Sequence, residues 1–460
     1  MPVLTVLPGL IYCAALAAIT WHVMRTPKIR TAADFFLARR TTGPVALGLS
    51  LFVTTLSAEW VLGAAGVSGW VALIAGGGIS MAVWILAPKL MASRPFTLPQ
   101  FVGWRFDQRT GLMLSAASIV FTLGVRIPVI VLMGSSMIFR LTGFDPAMGS
   151  ILLLLASGCM VIAGGYGAMV AGHALQGAVA FAGAAGLGAW MLLGTDFPLQ
   201  AASEHLPVLD LPWPVMLAAA MIIALWYWTG DHFVVQRILA ARDLKSVGRG
   251  ALIAAVLVVV AAPFVFPLPL QEAGTPALPP VAAGLVSLVI IAVVMAALSG
   301  YVHSAAALLT MDFYLARHPA ASEKRLVRVG RIASGVFVLI AVLFTAGSGF
   351  ATSPATLVVQ RLQLYLAAPA AALMIAALFS KRTIARGAVT GIMAGGLIEA
   401  THAVAWLIGP DSVLDGVARI DTVYAALAAF TVTLAVIFLR GSPATVATPA
   451  GISAVPRPGK

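Results

Sequence analysis

The sequence predicts an all-α integral membrane protein of about 13 transmembrane helices, N-terminus outside and C-terminus inside, built as two inverted five-helix repeats. Three observations carry this. Hydrophobic residues make up 61% of the 460 and charged residues 10%, and the mean hydropathy is +1.01, so water cannot be the solvent for most of the surface. Apolar runs of about 18 or more residues recur along the chain, each able to cross a hydrocarbon core of roughly 30 Å as a helix. Two polar interruptions, each in mid-span, open the two runs of helices.

The spans are expected near 4–24, 43–66, 68–92, 111–139, 146–165, 170–194, 213–236, 247–270, 280–311, 327–349, 355–379, 384–407 and 420–439. No basic residue precedes the first run and no small-residue cleavage site follows it, so it reads as a permanent span rather than a leader. Placing the N-terminus outside puts all but four of the 28 basic residues in alternate loops on one side, among them Arg39 and Arg40, Lys89, Arg105, Arg237 and Arg242, Arg317 and Arg331, and Lys381. The exceptions are Arg140 and Arg419 outside and Arg126 and Arg361 within spans. The positive-inside rule then sets the orientation. The organisation read from this is an extra helix and loop at 1–42, a first repeat at 43–194, a second at 195–407, an extra helix at 408–440, and a disordered Pro, Ala and Thr-rich tail at 441–460.

The interruptions are Thr54-Thr55-Leu56-Ser57-Ala58-Glu59-Trp60, followed by the glycine-rich Leu62–Gly66, and Trp226-Tyr227-Trp228-Thr229-Gly230-Asp231-His232. Polar groups at membrane depth are costly unless they face a cavity or a partner, and a broken helix exposes backbone groups that can hold a solute. Because five is odd, a second run of five has the opposite orientation. Other functions find little support. Cys13 and Cys159 sit in separate apolar runs, which leaves no disulfide framework or metal spacing. The charge of +12 is scattered between spans instead of clustering with aromatics, so nucleic acid is not a partner. No nucleophile, base and orienting group stand at recognisable spacing, so an enzyme is not expected and no cofactor is implied.

A set of short motifs gives the chain a relative. Asp34-Phe35-Phe36-Leu37-Ala38, Gly48–Phe52, Leu56–Glu59, Phe96–Phe101 with Arg105-Phe106, Gly164-Gly165-Tyr166 with Gln176-Gly177, Val234–Ala241, Leu309–Tyr314 and Val329-Gly330-Arg331 occur in an order and spacing that resemble the sodium:solute symporter family over nearly the whole chain. The resemblance implies a LeuT-type core and transport by alternating access, with a small organic solute held between the two broken helices in a cell (inner) membrane. It places solute contacts at Thr55, Ser57, Glu59, Tyr227 and Gln363, with Tyr227 covering the solute from the inner side. It places sodium on carbonyls at Val53, Leu56 and Val293 and on hydroxyls at two positions that here are Ala296 and Ala297.

Both hydroxyls are therefore missing, and a hard cation wants several oxygens. A Thr-Asp pair of the family, near a further sodium position, reads Gly172-His173 here. These losses count against sodium and leave a proton, or the solute gradient alone, as driving force. Asp231 and His232 are the expected proton carriers, and His173 is expected either as a built-in cation or as a simple carbonyl donor. Arg126 and Arg361 favour an anionic or zwitterionic solute, since arginine grips carboxylates bidentately; pairing of Arg126 with Glu59 is the alternative. Glu399 and His402, three apart, are expected to form an intrahelical pair. The other readings of the whole are a solute-binding membrane sensor without transport and a sodium-independent uniporter. The oligomeric state is left open.

Overall fold

The computed structural model describes residues 3–25, 29–56, 78, 81–193, 211–265, 280–347, 354–380, 385–408 and 414–440, and those residues are helical with one isolated backbone bridge. The helices are α1 (Val3–Arg25), α2 (Ala32–Leu37), α3 (Pro44–Thr55), α4 (Ala87–Ser93), α5 (Leu98–Arg105), α6 (Gln108–Phe121), α7 (Ile127–Thr142) and α8 (Pro146–Leu193) in the first half. The second half adds α9 (Trp213–Leu225), α10 (His232–Ala240), α11 (Leu244–Val265), α12 (Pro280–Leu308), α13 (Glu323–Gly347), α14 (Pro354–Phe379), α15 (Ala385–Ile408) and α16 (Thr422–Leu439). Among the described residues, nine helical stretches are long and apolar enough to cross a membrane, and Ile11–Arg25, Pro44–Thr55 and Ala82–Ser93 are shorter apolar helices.

The difference from the expected number of spans has identifiable sources. Spans expected at 146–165 and 170–194 form the single stretch α8, whose 48 residues at 1.5 Å each would run to about 70 Å, twice a bilayer core. Its backbone breaks at Gly165 (φ 57°, ψ −150°), in a region that only glycine enters without strain. A Cβ there would also stand 2.7 Å from the Phe35 carbonyl oxygen. Gly165→Ala is accordingly expected to lower stability by on the order of 1–3 kcal/mol, readable as a drop in Tm, whereas Gly248→Ala, with nothing within 4 Å, should be close to neutral. Among its described residues, the stretch 195–407, read as a second five-helix repeat, holds six long apolar helices.

At the centre lies α12, which packs against α3, α7, α8 and α13. The apolar window of Ala282–Arg317 is 83% buried, against 28–67% for the other long helices, so lipid-facing surface falls to its neighbours. Small residues make this possible: Gly134 and Gly183 leave room for Val294 and Val289, where a Cβ would come within 2.6 and 2.2 Å. At its far end α12 widens into a π-helical turn, Leu309–Tyr314, where Asp312 accepts hydrogen bonds from Thr97 Oγ1 (2.7 Å) and Ser115 Oγ and so ties α5 and α6 to the central helix.

The corner before α3 is set by a capping box. Thr31 and Asp34 cap α2 reciprocally, and Asp34 also accepts from Arg30 N (2.9 Å) and from Arg39 Nε. Burial alone would raise the Asp34 carboxyl, but the hydrogen bonds from Arg39, Arg30 and Thr31 outweigh it and hold it below the ordinary carboxylate range. A lowered folded pKa stabilises at all pH above the unfolded value of about 3.9 and is lost as pH falls through the folded one. Amide exchange at residues 30–35 should therefore quicken below about pH 4, and Asp34→Asn should remove that acid limb.

Candidate functional site

The first interruption begins where the sequence places it. α3 ends at Thr55, and Leu56 closes it by donating to Phe52 O (3.0 Å). Ser57 and Glu59 lie outside the described residues. A helix end leaves its last carbonyls without intrahelical donors. One of them, Thr54 O, accepts from the Tyr227 hydroxyl at 3.0 Å.

Tyr227 belongs to the second interruption. α9 widens into a π-helical turn at Trp226–Gly230, Asp231 leaves the helical region (φ −91°, ψ 115°), and α10 starts afresh at His232. Asp231 caps it, accepting from Phe233 N at 3.0 Å. The two interruptions thus meet through Tyr227 and Thr54, 173 residues apart in sequence. Their flanks are joined too: Thr42 N donates to Ala240 O and Arg242 N to Thr42 O, both at 3.1 Å, so the segment entering α3 runs beside the one leaving α10.

A third widened turn, Thr122–Arg126 between α6 and α7, delivers Arg126 to the same place. Its Nη1 donates to Asp231 Oδ2 at 2.5 Å, and the guanidinium lies over Trp226, Tyr301 and Phe121, 4.7, 5.1 and 5.3 Å from the ring centroids. Arg126 and Asp231 were separate candidates in the sequence; the fold makes them a buried ion pair. Asp231 and His232 are both buried, and His232 Nδ1 accepts from Leu98 N at 3.3 Å, tying α10 to α5.

The remaining solute candidates sit close by. Thr55 is buried, its hydroxyl donating to Leu51 O (2.7 Å) within its own helix. Gln363 is half-buried on α14, about two turns from the Ala370–Met374 stretch against which Gly230 packs. Of the positions that the resemblance assigns to sodium, Val53 and Leu56 lie at the end of α3 and Val293, Ala296 and Ala297 in the middle of α12, all buried, on helices that touch.

One turn away from those positions lies a chain of hydrogen bonds that sequence reading missed. Arg237 Nε donates to Ser50 Oγ (3.0 Å), Ser50 Oγ meets His173 Nδ1 (2.8 Å), His173 Nε2 meets Ser299 Oγ (3.0 Å), and Ser299 donates to Ala296 O (3.1 Å). The direction at one end is set by Ser299. Ser299 uses its proton on a carbonyl and so accepts from His173 Nε2–H, while Ser50 Oγ, which accepts from Arg237 Nε, meets Nδ1. His173 thus meets a hydroxyl at each ring nitrogen, on α3 and on α12. Arg237, placed in a loop by hydropathy, is instead fully buried on α10, with Phe233 four residues earlier stacked at 4.3 Å from its guanidinium. That i, i+4 spacing on a helix following a break was the available signal.

On α15, the expected Glu399–His402 pair does not form. His402 bonds Tyr365 OH (2.6 Å) and Ile420 O (2.8 Å), and both Glu399 carboxylate oxygens are buried with no hydrogen-bond partner among the described residues. The described residues hold no cluster of metal-binding side chains.

Known proteins supply the context. The model of the sodium:solute symporter family matches residues 35–273 and 275–395. The chain is 28% identical over 466 residues to the sodium/myo-inositol cotransporter 2 of Mus musculus, covering 85% of this chain and 68% of the relative. It is 26% identical over 468 residues to the sodium/glucose cotransporter 1 of the same species, covering 84% and 70%. Among solved structures, a Na+-coupled sialic acid symporter in a substrate-bound outward-open state superposes with a TM-score of 0.77 at 18% identity over 96% of this chain and 99% of that one. A nucleobase-cation-symport-1 family transporter superposes with a TM-score of 0.54 at 16% identity, over 90% and 96%. The fold is the LeuT-type helical arrangement that the sequence motifs imply. With two broken helices joined at Thr54 and Tyr227 inside such a fold, this multi-pass membrane protein, a transporter and not an enzyme, belongs to the sodium:solute symporter family.

Proposed function

We propose that the chain carries a small, net-neutral polar solute across the membrane by alternating access, without sodium, down the solute gradient or with a proton. The observation that carries this is the Tyr227–Thr54 contact, which closes two interrupted helices on each other beside the exposed carbonyls of α3. In the inverted-repeat reading, the second five helices close at α14 and leave α15 and α16 outside the core, which accounts for six long helices in 195–407.

The solute class follows from charge. Asp231 answers the charge of Arg126, so a net anion gains less there than the arginine alone would offer, and a polyol, a sugar or a zwitterion meets a balanced site lined by Trp226 and Tyr227. The inositol and glucose named for the relatives are natural first probes. Sodium is disfavoured because Ala296 and Ala297 offer methyls at the hydroxyl positions.

Reconstituted protein should show saturable uptake of radiolabelled myo-inositol, glucose or proline that is unchanged when sodium is replaced by potassium. Uptake abolished by that replacement would reject sodium independence, and a preference for carboxylate anions, lost in Arg126→Gln, would reject the net-neutral solute.

A further inference from the structure

Glu399 is an acid for which the sequence predicts a partner and the described residues supply none. We propose that it is a proton-binding site, set in the seam between α14, α15 and α16 and apart from the two broken helices. Glu399 is 4% exposed, and both of its carboxylate oxygens are buried without a hydrogen bond from any described residue. The seam around it is tight. One turn before Glu399, a Cβ on Gly395 would stand 2.0 Å from Thr433 Oγ1 and 3.0 Å from Ala429 O on α16, and 3.4 Å from Pro369 Cγ on α14. The Thr433 hydroxyl is buried there too, and it has no hydrogen-bond partner among the described residues.

No described charge answers this carboxyl. On its own helix, His402 engages Tyr365 OH of α14 with one ring nitrogen and Ile420 O with the other. The other elements packed on α15 are α16, the short helix Asp415–Ala418 and α6. There Asp415 pairs with Arg419 at 2.6 Å, Asp421 caps α16 on Val423 N, and Asp107 caps α6 on Thr110 N. Tyr424, Arg440 and Arg109 are exposed. A bare carboxylate at membrane depth is costly, and a bound cation removes that cost. A hard metal ion wants several oxygens, whereas the described seam offers one carboxylate, one hydroxyl and helix carbonyls committed to their own turns; a proton needs a single oxygen. Through α14 the seam reaches the second break: Pro369 faces Gly395, while Met374 Cγ and Ala370 O stand 3.3 and 4.0 Å from where a Cβ on Gly230 would be. For its part in transport, the proposal rests on the reading that solute is carried with a proton.

The test is infrared difference spectroscopy of the full-length chain in vesicles as pH is raised at constant ionic strength. The wild type should lose a protonated-carboxyl C=O band that shifts in D2O, and gain a carboxylate band. Glu399→Gln should lack that pair of bands, and exchanging potassium for sodium at fixed pH should leave it unchanged in the wild type. The same bands in Glu399→Gln, or a Glu399 carboxylate at every pH, as a cation outside the described residues would impose, overturns the proposal. So does a protonated band that sodium removes, which would make the seam a metal site. If Glu399→Gln does not fold, dicyclohexylcarbodiimide, which adds across a protonated carboxyl in apolar surroundings, decides on the wild type. Peptide mass spectrometry should find the adduct on Glu399, and its absence there would overturn the proposal. In the uptake assay, an inward proton gradient should accelerate the wild type and not Glu399→Gln; acceleration retained in the variant would overturn the coupling. The spectra are read without any flux, so wild-type vesicles that take up no solute count against the transport reading alone.

Discussion

Asp231→Asn is expected to lower stability by about 3–5 kcal/mol, the cost of leaving a buried guanidinium without its carboxylate. Asparagine caps a helix as well as aspartate does, so the cap of α10 on Phe233 N survives and the loss reports charge alone. Arg126→Gln should cost a similar amount by stranding Asp231. The double variant Arg126→Gln/Asp231→Asn should recover most of the loss, because two amides of similar shape can hydrogen-bond each other without any buried charge. Thermal unfolding followed by tryptophan fluorescence measures all three, and Trp226, which stacks on Arg126, reports locally. Additive losses in the double variant would mean that the two side chains do not depend on each other.

Ser50→Ala should be nearly as costly. One hydroxyl serves both Arg237 Nε and His173 Nδ1, and removing it strands a charged donor and a ring nitrogen in the core at once. Each buried group left unmade costs about 1–3 kcal/mol, more when charged, so a total on the order of 2–5 kcal/mol is expected. Ser50→Thr keeps the hydroxyl and should lose far less. A Tm that falls equally for alanine and threonine would show that space at Ser50, not its hydrogen bonds, is what matters.

The contrast between these sites shows what a sequence can carry. Trp226–His232 was legible as a break because a run of polar groups and a glycine interrupt an otherwise apolar span, and the backbone leaves the helix there. That positions 296 and 297 hold alanine is plain from the sequence; that a hydroxyl is expected there is what the family resemblance implies. The pairing of Arg126 with Asp231 was not, since 105 residues separate them and each alone fits a solute contact equally well. Arg237 was hidden for a different reason. Hydropathy assigns a charged residue near the end of a span to the following loop, whereas α10 restarts after the break and carries the side chain back into the protein. His173 illustrates the same limit from the other side: a histidine where the family resemblance implies a carboxylate was visible, but its partners, the hydroxyls of Ser50 and Ser299, were not. Glu399 and His402 had the right spacing for a pair, yet Tyr365 and the Ile420 carbonyl give the imidazole better-placed partners from outside the helix.

All of this turns on whether the junction of α3 with the Trp226–Asp231 turn is reached alternately from the two sides. A single cysteine at the end of α3, Thr55→Cys, on a background in which the exposed Cys13 and Cys159 are replaced by serine, can be challenged with a membrane-impermeant thiol reagent from either face of oriented vesicles. The account predicts slow labelling from both faces, since Thr55 is buried here and becomes accessible only as either side opens. Labelling from one face alone, or from neither at any time, would contradict it.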